Sequence, residues 1–318
     1  MLLKIIGGSS HKQFTSDVCA HLGIAETKTT VQTFSNDNLF VSINEPVRGA
    51  DVFVIQTQVP PVDKHLMELF ILIRTLRDAS AARVTAVLPY LPYVRSDKKD
   101  QPRVCIAARL MADMLETAGA DRVVIMDMHS PQVQGFFSIR CDHLIAAPEI
   151  IHYLKNNWDL NNYCVVAGDA GAAKMLKLYA DGLRLPVAIM DKRREDNTET
   201  VIIKGVIGDV RGKKVLIIDD ETVSGWTLIK DAEFLLTAGG AASVDACVVH
   251  PALGPNAATR LNQSPMHTFV STDTIPMKQP HQSASMLKHH EIVSVTKKFA
   301  EAIRRIHGDE SIHSLNTL

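Results

Sequence analysis

Short apolar runs recur along the whole chain, and helical patterns fill the intervals between them. The runs are LLKIIGG, DVFVIQT, RVTAVLPY, RVVIMDMH, YCVVAGD, PVAIMDKRR, KVLIIDD, VDACVVHP and HTFVSTD. Each is about the length of one strand, and Val215 to Ile218 read as buried on both faces, as a strand of a covered parallel sheet must be. Amphipathic stretches such as KHLMELFILIRTLRDAS and VCIAARLMADMLETAGA lie between them. Parallel neighbours need a crossover, and a helix supplies it, so the pattern predicts an α/β fold with mainly parallel sheets flanked by helices. Phe40 to Ile43, followed by the Asn44-Glu45-Pro46 turn, point to a local antiparallel hairpin.

Composition narrows the class. At 318 residues the chain is long enough for two domains with separate cores. The expected division is 1–146, 147–303 and a polar tail, 304–318. A net charge of −1 gives no basic field for nucleic acid, so no nucleic-acid partner is expected. The five cysteines are scattered without a CxxC spacing, which argues against a zinc site or disulfide framework and for a reducing, cytoplasmic compartment. The N-terminal LLKIIGG is too short for a signal sequence and reads as a first strand. No apolar run reaches membrane-spanning length, so no membrane partner is expected either.

Chemistry collects where the apolar runs end. VLIIDDETVSGWTL gives a buried strand, Val215 to Ile218, ended by Asp219 and Asp220. A small hydroxyl-rich loop with Ser224, Gly225 and Thr227 then opens into a helix. Backbone N–H groups and the helix dipole at such a start attract an anion. The carboxylates beside it suit sugar hydroxyls or Mg²⁺. A phosphate site next to a diol or metal site points to a phosphorylated sugar.

Three further groups extend the pattern. PVAIM ends in Asp191-Lys192-Arg193-Arg194, cations suited to neutralising a transferring phosphoryl group. Strand alternation predicts Lys192 and Arg194 on one side and Arg193 on the other. The polar run that follows, 195–200, reads as a mobile lid. His129 and Asp169 each end an apolar run, and an imidazole with a carboxylate makes a partial magnesium shell completed by phosphate and water. Pro89 to Arg103, PYLPYVRSDKKDQPR, is barred from regular helix by its prolines and reads as a cationic polyphosphate loop. In open α/β sheets ligands lie beyond the carboxyl ends of the strands, so these residues predict a shared site.

Over nearly its whole length the chain resembles the ribose-phosphate diphosphokinases, also called phosphoribosyl pyrophosphate synthetases. The resemblance is carried by NEPVRGADVFVIQT, ASAARVTAVLPYLPYVRSDKKD, ETAGADRVVIMDMHSPQVQGFF, VVAGDAGAAK, DKRR and VLIIDDETVSGWT, in that order. It implies two tandem type I phosphoribosyltransferase-like domains, a nucleotide side in the first and a ribose-phosphate loop in the second. It implies transfer of the β,γ-diphosphate of ATP to the anomeric hydroxyl of ribose 5-phosphate, with Mg²⁺ required, by a dimer-based homo-oligomer such as a hexamer. By the same resemblance Lys192 and Arg194 are catalytic. Asp219, Asp220, Thr222, Ser224, Gly225 and Thr227 bind the ribose phosphate. Phe34, Asn36, Asn38, Arg95, Ser96, Asp97 and His129 serve ATP, and His129 with Asp169 serves the metal.

The chain also departs from the pattern it resembles. Phe34-Ser35-Asn36-Asp37-Asn38 stands where FSDGE is usual, Arg95-Ser96-Asp97 where RQD is usual, and SIHSL where SVSYL is usual. In the sugar-phosphate loop, DDxxDTxGT becomes DDETVSGWT, with Val223 for an acid and Trp226 for a glycine. A ring turned into the pocket would suit a larger acceptor such as ADP-ribose, and a non-catalytic regulatory homologue is the third reading. The expectation adopted is that Trp226 packs into the core and ribose 5-phosphate remains the acceptor.

Overall fold

The structure, a computed structural model, describes residues 1–194, 201–277 and 287–318. These residues form two compact units.

The first unit begins with β1 (Leu3–Gly7), α1 (Lys12–Leu22), β2 (Thr29–Thr33), β3 (Leu39–Ile43), β4 (Asp51–Ile55) and α2 (Val62–Asp78). It continues with β5 (Arg83–Leu88), α3 (Ala107–Ala118), β6 (Arg122–Met126) and β7 (Arg140–Leu144). Its sheet is five parallel strands in the order β1-β4-β5-β6-β7. All five residues of β4 are buried, as a covered central strand requires. A hairpin is present, β2 and β3 pairing antiparallel with Thr29 opposite Ile43 and Thr33 opposite Leu39, but its turn is residues 34–38 and Asn44-Glu45-Pro46 follows its second strand. Val41 and Ile43 pack against the core below α2 and α3, so the hairpin buries one side.

The second unit holds α4 (Ala147–Asn157), β8 (Tyr163–Ala167), α5 (Ala173–Leu183), β9 (Val187–Arg194), β10 (Val201–Ile207) and β11 (Lys214–Glu221). After these come α6 (Trp226–Thr237), β12 (Ser243–His250), α7 (Ala257–Gln263), β13 (Phe269–Thr272) and β14 (His290–Val293). Its seven strands run in the order β10-β9-β8-β11-β12-β13-β14. Only the β9–β10 pair is antiparallel among these neighbours. The fold is therefore mixed α/β with mainly parallel sheets between helices, as expected.

The chain crosses sides at β8. It places β9 and β10 on one flank, then returns to lay β11 against the other flank. Such a reversal opens a crevice at the carboxyl ends of the two strands concerned. α6 covers one face there, with Leu228, Ile229, Ala232 and Leu235 packed on Ala188, Met190, Val215 and Ile217.

Two expectations need correction. The last helix, α8 (Thr296–His307), gathers with the first unit rather than with residues 147–303. Phe299 meets Phe14 of α1 edge-on, ring centres 5.3 Å apart, and Lys298 donates to the Ile145 carbonyl at 2.6 Å. The residues after 303 are tied down too, because Asn316 accepts from the Ile145 N–H and donates to the His143 carbonyl. Second, β11 does not stop at Ile218. Its ladder with β12 continues through Asp219 opposite Val248 and Glu221 opposite His250, since β12 is long enough to offer those partners.

Candidate active site

In the second unit, β8 lies between β9 and β11, so their carboxyl ends adjoin. Asp169 follows the end of β8, Lys192 lies near the end of β9, and Asp219 with Asp220 near the end of β11. Three sequence groups up to 51 residues apart, from Asp169 to Asp220, thereby reach one edge of one sheet.

The loop after β11 has the backbone features that could receive an anion. Gly225 precedes α6 at φ 77°, a conformation that L side chains rarely adopt. A Cβ there would also lie 3.1 Å from Leu261. No side chain caps α6 and its first turn carries no acid, so the positive end of the helix faces the loop with its first N–H groups uncapped by a side chain. The Ser224 hydroxyl accepts from the Trp226 N–H at 3.3 Å. Thr222 is buried, its N–H donating to the His250 carbonyl, whereas Ser224 and Thr227 are exposed. Asp219 and Asp220 are half-buried, and Asp219 accepts from the Asp220 N–H at 3.0 Å.

Trp226 does not enter the core. It is 53% exposed and lies under Arg260, whose guanidinium carbon is 5.4 Å from the ring centre. The expectation of core packing is overturned, because the first residue of α6 faces away from the stripe that covers the sheet. Arg260 also donates twice to the Ser224 carbonyl, at 2.9 and 3.1 Å. No local pattern signals this clamp, since Arg260 comes from α7, 36 residues away.

Along β9 the alternation holds as far as the side chains are described. Ala188 and Met190 are buried on the face under α6, and Lys192 continues that face. Its ammonium reaches Asp231 of α6, Nζ to Oδ2 2.7 Å, with side-chain exposures of 12% and 1%. Burial pushes the Asp231 carboxyl up to about 6, with Lys192 opposing the rise. Asp231 lies in an apolar stripe and was not singled out in the sequence. The side chains of Arg193 and Arg194 lie outside the described residues, as does the run 195–200 read as a lid.

Asp169 is exposed and accepts from the Gly171 and Ala172 N–H groups at 2.7 and 3.3 Å, which fixes the turn after β8. His129, in the first unit, is exposed and stands three residues beyond the end of β6, past a turn with Asp127 at φ 38°. Among the described residues no three His, Cys, Asp or Glu side chains gather to hold a metal. An exposed carboxylate with few companions suits Mg²⁺, which keeps waters and takes oxygens from substrate phosphates.

The other nucleotide-side candidates also lie in the first unit. Phe34, Asn36 and Asn38 form the exposed turn of the β2–β3 hairpin. The Phe34 N–H donates to the Asn38 carbonyl, and the Asn36 side chain accepts from the Asn38 N–H. The Phe34 and Phe40 rings lie 5.9 Å apart. Arg95 is exposed and Asp97 half-buried in the loop between β5 and α3. Ser96 is engaged in closing that loop: its hydroxyl donates to the Cys105 carbonyl at 2.9 Å and accepts from the Ala107 N–H at 3.4 Å.

The chain is similar to known proteins over nearly its whole length. A family model described as the N-terminal domain of ribose phosphate pyrophosphokinase matches residues 3–119. One described as the phosphoribosyl synthetase-associated domain matches residues 202–316. A ribose-phosphate pyrophosphokinase of Caldanaerobacter subterraneus is 41% identical over 99% of this chain and 98% of its own. One of Rhizobium meliloti is 41% identical over 98% and 99%. The crystal structure of phosphoribosylpyrophosphate synthetase from Mycobacterium smegmatis superposes with a TM-score of 0.88 at 33% identity, covering 97% of this chain and 100% of the other. With full-length likeness in sequence and in structure, the chain belongs to the ribose-phosphate pyrophosphokinase family.

Proposed function

We propose that this enzyme transfers the β,γ-diphosphate of Mg-ATP to the anomeric hydroxyl of ribose 5-phosphate, giving 5-phosphoribosyl 1-diphosphate and AMP. One observation carries the reading: the anion cradle at α6, the paired carboxylates of β11 and the cation of β9 meet at one sheet edge, in a chain of this family.

The residues divide the work by chemistry. Backbone N–H groups of the loop, with Ser224, Gly225, Thr227 and the partly withdrawn Thr222, take the 5-phosphate. Asp219 and Asp220 accept from the ribose hydroxyls and fix the sugar's orientation. The anomeric oxygen forms a bond to the β-phosphorus, the bond from that phosphorus to the α-phosphate oxygen breaks, and AMP leaves. The proton of the anomeric hydroxyl passes to solvent, and no general base is assigned. Such a displacement needs alignment and charge neutralisation above all. Lys192 and Arg194 supply positive charge to the moving diphosphate. Phe34, Asn36, Asn38, Arg95, Ser96, Asp97 and His129 serve the nucleotide. Asp169 and His129 would hold Mg²⁺, which withdraws charge from the phosphates when bound. The working form is a homo-oligomer. The described residues hold no helix long and apolar enough to cross a membrane.

The test is AMP release from Mg-ATP with a panel of ribose phosphates and ADP-ribose. Release driven by ribose 5-phosphate supports the reading. Release driven by ADP-ribose alone moves the acceptor, and none with any acceptor leaves a non-catalytic homologue.

A further inference from the structure

Asp231 is out of place by the logic of its own helix. The buried side of α6 is Leu228, Ile229, Ala232 and Leu235, and Asp231 is buried among them at 1% exposure. A carboxylate so placed loses its hydration and is stabilised only by what it contacts. Among the described residues its Oδ1 has no hydrogen-bond partner, so the compensation falls on Oδ2 and Lys192. A buried ion pair of this kind adds little to stability compared with packed apolar groups. It does fix geometry. A lysine ammonium on four rotatable bonds otherwise samples many positions.

The position that results is specific. The pair sits against Gly168, where a Cβ would lie 3.3 Å from Asp231 Oδ2 and 3.4 Å from Lys192 Nζ. Gly168 precedes Asp169 at the end of β8. The ammonium is thus held at the strand junction where the phosphate chemistry is assigned, and Gly168 leaves room for it.

We propose that Asp231 is a positioning residue for Lys192, holding its ammonium at the end of β8 so that the cation is in place before the diphosphate moves. The inference rests on the assignment of Lys192 under the proposed function. Pre-set charge lowers the barrier of the transfer step, whereas loss of the anchor leaves ATP affinity largely intact.

The experiment is a double-mutant cycle on the full chain, read as kcat and KM for both substrates. The variants are Asp231→Ala, Asp231→Asn, Lys192→Ala and Lys192→Ala with Asp231→Ala. Asp231→Ala is expected to lower kcat by about ten- to a hundred-fold, with KM for ATP changed less than about three-fold. The isosteric Asp231→Asn should fall between it and the parent, and it carries the test if Asp231→Ala does not fold. In the Lys192→Ala background, losing Asp231 should cost no further turnover. Parent-like kcat in both Asp231 variants, or an equal loss from Asp231→Ala with and without Lys192, overturns the inference alone. Parent-like turnover of Lys192→Ala overturns the assignment of Lys192 and the inference with it.

Discussion

Arg260 lies over the indole of Trp226, 5.4 Å from the ring centre, while donating two hydrogen bonds to the carbonyl of Ser224. One guanidinium thus ties α7 to both sides of Gly225, the residue that turns the chain into α6. The arrangement makes the loop's shape depend on a residue outside the loop. Arg260→Ala is expected to raise KM for ribose 5-phosphate by about ten-fold, with a smaller change in kcat, because a loosened cradle weakens ground-state and transition-state binding alike. Steady-state kinetics at saturating Mg-ATP checks this. Trp226→Gly removes the side chain beneath Arg260, and the preference for ribose 5-phosphate over ADP-ribose should persist. A preference that changes on this substitution would show that the ring selects the acceptor.

The paired carboxylates should matter to turnover and not to folding. Asp219 and Asp220 are half-buried at the end of β11, beyond the fully buried Val215 to Ile218. Asp219→Asn and Asp220→Asn are each expected to lower kcat by about a hundred-fold or more, with the thermal midpoint little changed. Parent-like activity in both would show that the sugar is held elsewhere.

ATP binding should depend on Mg²⁺. His129→Ala and Asp169→Ala are each expected to weaken it about ten-fold, and calorimetry with and without the metal separates the two contributions. Asp169→Asn keeps an oxygen for the Gly171 and Ala172 N–H groups while removing the charge. It should therefore preserve the turn and still weaken the metal-dependent part. Metal-independent binding that ignores all three variants would contradict the assignment.

The second unit carries an acid-sensitive group away from this site. His290 of β14 accepts or donates at 2.9 Å with the Ser271 hydroxyl, and burial holds its imidazole down to about 4 from an ordinary 6.5. A histidine whose folded value is lowered stays neutral where the unfolded chain takes up a proton. Its contribution is complete above pH 6.5, is lost as the pH falls toward 4, and changes no further below that. The loss amounts to at most about 3 kcal/mol. Urea midpoints at pH 7.5 and 4.5 for the parent and His290→Asn measure it. The variant should lose less stability on acidification.

The alternation of strands and helices, the hairpin before β4 and the chemical character of the strand ends were all legible in the sequence. These are local properties: residue period fixes the element, and the first polar residues after an apolar run mark its end. Tertiary structure decided the rest. Asp169, Lys192 and the Asp219–Asp220 pair adjoin because β8 pairs with β9 on one side and β11 on the other. No local pattern specifies strand order, since covered parallel strands read alike. Lys192 with Asp231 spans 39 positions, and Arg260 with Ser224 spans 36. Each pair joins separate elements whose approach depends on how helices cover the sheet. The retained Ser224, Gly225 and Thr227 pointed to a core position for Trp226, but the ring belongs to the first residue of α6, where the helix turns outward, and it is exposed. Residue period and polarity could be read along the chain, whereas burial, pairing order and partner choice arose only when distant segments packed together.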